Sequence, residues 1–205
     1  MNDVTGGAGD FLPDHETRRR ARDGHARLLP TGPTLRDLLR PLDGGWYTEC
    51  LKCGLDLSTP GVTYYAERAF RDDEPLFEYA LCDSCVFGFQ DEFSPRSMET
   101  VQDFWERHID RRARFARVAS TRNGDELVER CLLSGVPRAE LVEIQAWAWC
   151  RDGQILVDFD TPAFASGAII GEVAELLSRE TRDALDGFIR DHLGLPPELR
   201  NLPLL

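Results

Sequence analysis

Between residues 62 and 82 apolar and polar side chains alternate. Val62, Tyr64 and Ala66 fall on one side of "VTYYAERAF" (62–70), and Phe77, Tyr79 and Leu81 on one side of "LFEYALC" (76–82). A period of two marks strands, and "RDDEP" (71–75) is a polar turn between them, so a β-hairpin is expected. A second hairpin is expected over 143–160, where "ELVEIQAWAWC" runs through "RDG" into "QILVDFD" and Trp147 and Trp149 alternate with Ala146 and Ala148.

Elsewhere the period lengthens toward that of a helix. Cys85, Phe89 and Phe93 recur every four residues, as on one stripe of a short helix that Gly88 and the Ser94-Pro95 stop limit. From Ser97 a longer helix is expected through "METVQDFWERHIDRRARFARVAS", with Val101, Trp105, Ile109 and Phe115 inward. "DELVERCLL" (125–133) reads as another helix after the Asn123-Gly124 break. Two helices close the chain at 166–177 and 179–194, the second with Leu185, Phe188, Ile189 and His192 near one face and Gly194 as its stop. Toward the N-terminus, "TLRDLLRPL" (34–42) holds two helical turns with Leu35, Leu38 and Leu39 together. The first thirty residues are expected to be a mobile arm, with "RRRARDGHAR" a solvated tail.

Four of the six cysteines fall in two pairs, Cys50-x2-Cys53 and Cys82-x2-Cys85. A structural zinc site takes four thiolates in a closed tetrahedron, and one C-x2-C turn supplies two of them. Gly54 lets the backbone fold back under the metal, and the expected hairpin fills the 28 residues between the pairs. A thioredoxin-like centre needs one such pair within a βαβ pattern, which makes the second superfluous. Inert buried thiols leave the paired spacing without a reason, and disulfides do not suit a reducing compartment. Zinc fits the spacing best, ahead of iron–sulfur.

Knuckle, hairpin and then a helix opening at the second cysteine pair is the order of a treble clef. Through "CLKCG" and "YALCDSCVFGFQDEF" the segment resembles the zinc-binding N-terminal domain of the Clp-family chaperone ATPases, over about residues 46–93. The resemblance carries Cys50, Cys53, Gly54, Cys82 and Cys85 as site residues, and it implies a domain that dimerises and docks partners. It extends no further, because the chain lacks the G-x-x-x-x-G-K-[ST] phosphate loop of the motor.

This places an arm with a short helix over 1–43, a four-cysteine zinc module over 44–96, and a helical α+β region over 97–205 docked upon it. The fold class is α+β, with a small antiparallel sheet. Four cysteines close the metal shell and no histidine lies between 26 and 107, so the zinc is expected to be structural rather than catalytic. Residues 46–93 carry ten acidic and three basic side chains, and the whole chain a net charge of −12. Phosphate backbones reward the opposite sign, so nucleic-acid binding is not expected of the module.

Other candidates read as structural. Cys131 and Cys150, separated by eighteen residues, suit buried free thiols better than a second metal site, for which His108 is the only neighbouring donor. Arg107, Arg111 and Arg114, with Arg112 and Arg117 nearby, could make a basic stripe or pair with surface acids. His108 and Asp110 face apart on a helix. Trp147 and Trp149 read as core or sheet cover, and otherwise as a platform for a partner. Asp158 and Asp160 read as a solvated strand face.

At 205 residues with 42% hydrophobic content the chain can bury a core. Neither a signal-peptide core nor a membrane-length apolar run appears, so a cytoplasmic protein without membrane contact is expected. The functional expectation is a zinc-stabilised, non-enzymatic protein-interaction module of adaptor or regulatory type. Its partner would be a protein or a second copy of the chain, covering Tyr64, Tyr65, Phe70, Phe77 and Phe87 where residues 97–205 do not. The alternatives are an enzyme with a site in the C-terminal region, and nucleic-acid binding through an Arg107–Arg117 helix.

Overall fold

A computed structural model describes residues 14–29, 31–41 and 44–195. Strands β2 (Thr63–Arg71) and β3 (Glu74–Cys82) form the first expected hairpin. Its two-residue turn puts Asp72 and Asp73 at φ of 51° and 64°, the left-handed pair that suits the twist of a tight hairpin and that Asp tolerates. Strands β4 (Glu143–Arg151) and β5 (Gln154–Val157) form the second, turning at Asp152 and Gly153.

The two hairpins are parts of one sheet. β2 pairs with β4 from Thr63↔Arg151 to Arg71↔Glu143, so one strand of the hairpin between the cysteine pairs is hydrogen-bonded along its whole length to the C-terminal region. The far edge of β4 is divided between β5, opposite Trp149–Arg151, and a strand the sequence pattern did not reveal, β6 (Ala163–Ser166), opposite Ile144–Trp147. β1 (Arg27–Leu29) closes the outer edge of β5, and every pairing is antiparallel.

Strand periodicity sorts the side chains onto two buried faces. Tyr64, Ala66, Ala80, Ala148 and Cys150 lie toward one, packed under α2 (Pro33–Leu39), whose Leu35, Leu38 and Leu39 are buried. Tyr65, Glu67, Tyr79, Leu81, Trp147 and Trp149 lie toward the other. That face meets α3 (Asp83–Gln90), α4 (Pro95–His108), α6 (Gly167–Leu176) and α7 (Arg179–Phe188), which runs on into a wider turn, Ile189–Leu193, stopped by Gly194 in the left-handed conformation. Among the described residues no helix is long and apolar enough to cross a membrane.

Several expectations need correction. The arm expected over 1–43 is structured over 14–29 and 31–41: α1 (His15–His25) docks on α3, and β1 joins the sheet. Its arginines meet acids distant in sequence, Arg18 on Asp91 and Arg19 on Asp83 at 2.7 Å, while Arg22 lies over Trp149. The part of the arm before residue 14 lies outside the described residues.

The long helix expected from Ser97 is two. Asp110 caps the second, α5 (Arg111–Ser120), by accepting from the Ala113 N–H, and the chain bends at Ile109. The bend turns Phe115 outward, 67% exposed, and Phe104 takes an inward place. The short helix α3 ends before Ser94 as expected, and Ser94 is in addition the N-cap of α4, its hydroxyl meeting that of Ser178, the cap of α7, at 2.8 Å. In place of a helix over 125–133 there is one 3-10 turn, Gly124–Val128, because Arg130 bridges back to Pro137 and the Cys131 N–H donates to the Val136 carbonyl at 2.9 Å, and Asp125 is engaged elsewhere. Its carboxylate accepts from the N–H groups of Thr34 and Leu35 and so caps α2.

Candidate metal centre and the neighbouring cavity

The first cysteine pair sits on a knuckle closed by its own backbone. The Cys50 N–H donates to the Leu55 carbonyl and the Gly54 N–H to the Cys50 carbonyl, both at 2.9 Å. Gly54 has φ of 71°, a conformation that glycine adopts without strain. The Leu51 N–H reaches across to the Ala80 carbonyl at 2.9 Å and ties the knuckle to β3. The second pair straddles a strand end and a helix start, since Cys82 is the last residue of β3 and the N-cap of α3, and Cys85 lies in the first turn of that helix.

These two elements bring all four thiols within 4.8 Å of one another. Cys53 Sγ and Cys82 Sγ are 3.8 Å apart. Zinc–sulfur bonds of about 2.3 Å in a tetrahedron require sulfur separations of about 3.8 Å, so the cluster has the dimensions of a closed thiolate site. Cys50 and Cys82 are buried, Cys85 is half-buried and Cys53 is exposed. Access to the cluster is therefore from the side of the knuckle.

The thiols differ in electrostatic setting. Burial pushes Cys82 up to about 11, and burial with neighbouring thiols also raises Cys85. At Cys50 burial acts upward too, but the N–H groups of Cys82, Cys53 and Lys52 outweigh it and hold that thiol below its ordinary value. One of those bonds, Cys82 N–H to Cys50 Sγ, is 3.3 Å long. N–H donors around sulfur favour the thiolate, the form that ligates metal.

The remaining candidates are dispersed. Cys131 and Cys150 are buried, and the four-cysteine cluster is the one potential metal group among the described residues. Arg114 turns inward, donating to the carbonyls of Phe159 at 3.0 Å, Pro162 at 2.8 Å and Leu127 at 3.4 Å. With Arg107 on α4 and Arg111 ion-paired to Glu106, no continuous arginine stripe exists. His108 stacks on Phe104 and bonds that residue's carbonyl at 2.8 Å. Asp158 and Asp160 lie beyond the end of β5 and not on it. Asp158 accepts from the Asp160 and Thr161 N–H groups, and burial raises its pKa.

Sequence reasoning missed two features on the α-covered face of the sheet. Glu67 is fully buried and accepts from Tyr79, Gln145 and Tyr65. Burial nevertheless raises its carboxyl to about 8. The alternation of "YYAERAF" put Glu67 on the same face as Tyr65, but a glutamate in a strand reads as the solvent side.

The second missed feature is a cavity of about 430 Å³ between the sheet, α3, α4, α6 and the loop at 159–161. Its walls include Trp105, Trp147, Trp149, Phe89, Phe93 and Phe159. Among the polar groups along it, Gln102 bonds Glu106 at 3.2 Å, Arg111 donates to Glu106 at 3.2 Å, and Thr161 donates to the Leu156 carbonyl at 3.0 Å, while burial pushes the Asp160 carboxyl up to about 6. Trp147 and Trp149 thus form a cavity wall.

Comparison of the chain with protein families, with curated proteins and with solved structures finds no match.

Proposed function

We propose that Cys50, Cys53, Cys82 and Cys85 hold one zinc ion as a treble-clef-like structural centre, and that the chain is a non-enzymatic interaction module. The resemblance to the Clp-family zinc domain supports the first part, together with thiol spacing suited to tetrahedral zinc. Four thiolates would leave the ion no open position, so its contribution would be to clasp the knuckle to the hairpin and α3.

The binding place is the aromatic cavity, and that cavity is the observation that carries the reading. A preformed concave site with apolar walls and few polar groups is the usual form of a ligand site. Catalysis would call for convergent, unpaired acid and base groups, whereas Gln102, Glu106 and Arg111 here are engaged with one another and Thr161 with the Leu156 carbonyl. Tyr64, Tyr65, Phe70, Phe77 and Phe87 are buried within the chain itself, so they give no reason for a second copy to cover them.

The test is a thermal-shift screen of the zinc-loaded chain against small apolar molecules and apolar peptides, repeated with Val101→Trp, which fills the cavity from α4. Hits that raise the melting temperature of the parent and not of the variant are expected. A screen without hits in either class overturns the reading.

A further inference from the structure

The cavity has an aromatic interior and a charged rim. Trp105, Trp147, Trp149 and Phe89 line it, and its charged lining residues, Glu106, Arg111 and Asp160, are all solvent-exposed. An apolar cavity of roughly 150 Å³ holds benzene, and this one, at about 430 Å³, has room for a two-ring body. An ion in the interior would lose its water without gaining a partner, so a charge on the ligand belongs at the rim.

That rim is net negative. Two carboxylates, Glu106 and Asp160, stand against one guanidinium, Arg111. Arg111 is already engaged, by Glu106 at 3.2 Å and by the Phe159 ring, 4.9 Å from its centroid. Asp160 is not. Its backbone N–H is bonded to Asp158, but among the described residues its carboxylate has neither a hydrogen bond nor an ion pair. The other charges near it, Asp158 and Arg114, are opposite in sign and offset one another.

Desolvation and the Asp158 charge push the Asp160 carboxyl up to about 6, against the pull of Arg111 and Arg114. Its ionised form, the main one at neutral pH, is therefore short of positive charge. Arg111 over Phe159 shows that the aromatic edge of the rim accepts a cation.

We infer that the cavity takes an amphiphilic organic cation, with an apolar ring body among the tryptophans and one ammonium at the rim beside the Asp160 carboxylate. This rests on the cavity being the binding place proposed above.

The test is isothermal titration calorimetry of the zinc-loaded chain at pH 7.5 with three probes that share one ring system: 2-naphthylmethylamine, 2-naphthylmethanol and 2-naphthoate. The amine should bind at one per chain, about fivefold tighter than the alcohol and about tenfold or more tighter than the carboxylate. Asp160→Asn should bring the amine to within about twofold of the alcohol while the alcohol keeps its affinity. Salt at 1 M should weaken the amine and leave the alcohol unchanged, because it screens only the ion pair. Val101→Trp should abolish binding of all three; if that variant does not fold, Met98→Trp on the same helix replaces it.

An amine no tighter than the alcohol overturns the inference, as does a preference that survives Asp160→Asn or high salt, or amine binding that survives the filled cavity. If the alcohol binds as well as the amine and is lost in Val101→Trp, the cavity stands as the binding place and the cationic ligand does not. The same holds if none of the three saturates while a peptide from the screen binds the parent alone. If nothing binds, both readings fail.

Discussion

The Tyr79 hydroxyl donates to the Glu67 carboxyl at 2.5 Å across the β2–β3 pair, with both residues buried. Burial raises that carboxyl from 4.5 to about 8 even though Tyr79, Gln145 and Tyr65 all donate to it. A carboxyl with a raised folded pKa keeps a proton that the unfolded chain releases. Its contribution to stability is therefore fullest below about pH 4.5 and is lost as pH rises toward 8. Glu67→Gln cannot titrate. Denaturant unfolding at pH 5 and pH 9 should show the stability difference moving in favour of the Gln variant by on the order of a few kcal/mol. A difference independent of pH would mean that the carboxyl is charged throughout.

The proposed zinc centre predicts one zinc per chain by elemental analysis, and none in Cys53→Ser. Because β2 is paired on both sides, loss of metal should release the knuckle and leave the hairpin in place. Hydrogen exchange should show amides of 47–57 losing protection while those of β2 keep it. For a chain of this size a loss of a few kcal/mol lowers the melting temperature on the order of 10 °C. Unchanged melting in Cys53→Ser would remove the structural role.

Arg114 donates to three carbonyls from the interior, whereas Arg112 and Arg117 are exposed. Arg114→Leu leaves those acceptors unpaired and should destabilise by about 2–4 kcal/mol. Arg112→Ala and Arg117→Ala should each stay within about 0.5 kcal/mol. With the central arginine inside and the net charge at −12, the chain should not retard duplex DNA in a gel at physiological salt. Tight, salt-sensitive retardation would contradict this.

Helix α1 carries four arginines yet is held to α3 by Asp83 and Asp91. Limited trypsin digestion should therefore cut it slowly. The double variant Asp83→Ala, Asp91→Ala removes those charge-assisted bonds and should speed cleavage in α1 about tenfold. Equal cleavage rates would show that other contacts hold the helix.

Local chemistry was legible in the chain itself. Paired cysteines at C-x2-C, period-two alternation across 62–82 and 143–157, and the Leu35, Leu38, Leu39 cluster each express a preference satisfied within a few residues. The metal-cluster geometry, both hairpins, α2, α3 and the two closing helices followed from such preferences.

The tertiary structure decided whatever depended on partners far along the chain. Arg19 is a docking residue only because Asp83 lies opposite it, Arg114 is internal only because the bend at Ile109 aims it at the carbonyls of Phe159 and Pro162, and Asp125 leaves its own segment to cap α2. β6 is too short to announce itself and exists because the edge of β4 needs hydrogen bonds there. The cavity belongs to no segment at all. It is the space left where α4 and α6 cross a sheet face of large aromatic side chains, and such a volume is set by how surfaces meet rather than by the order of residues in either one.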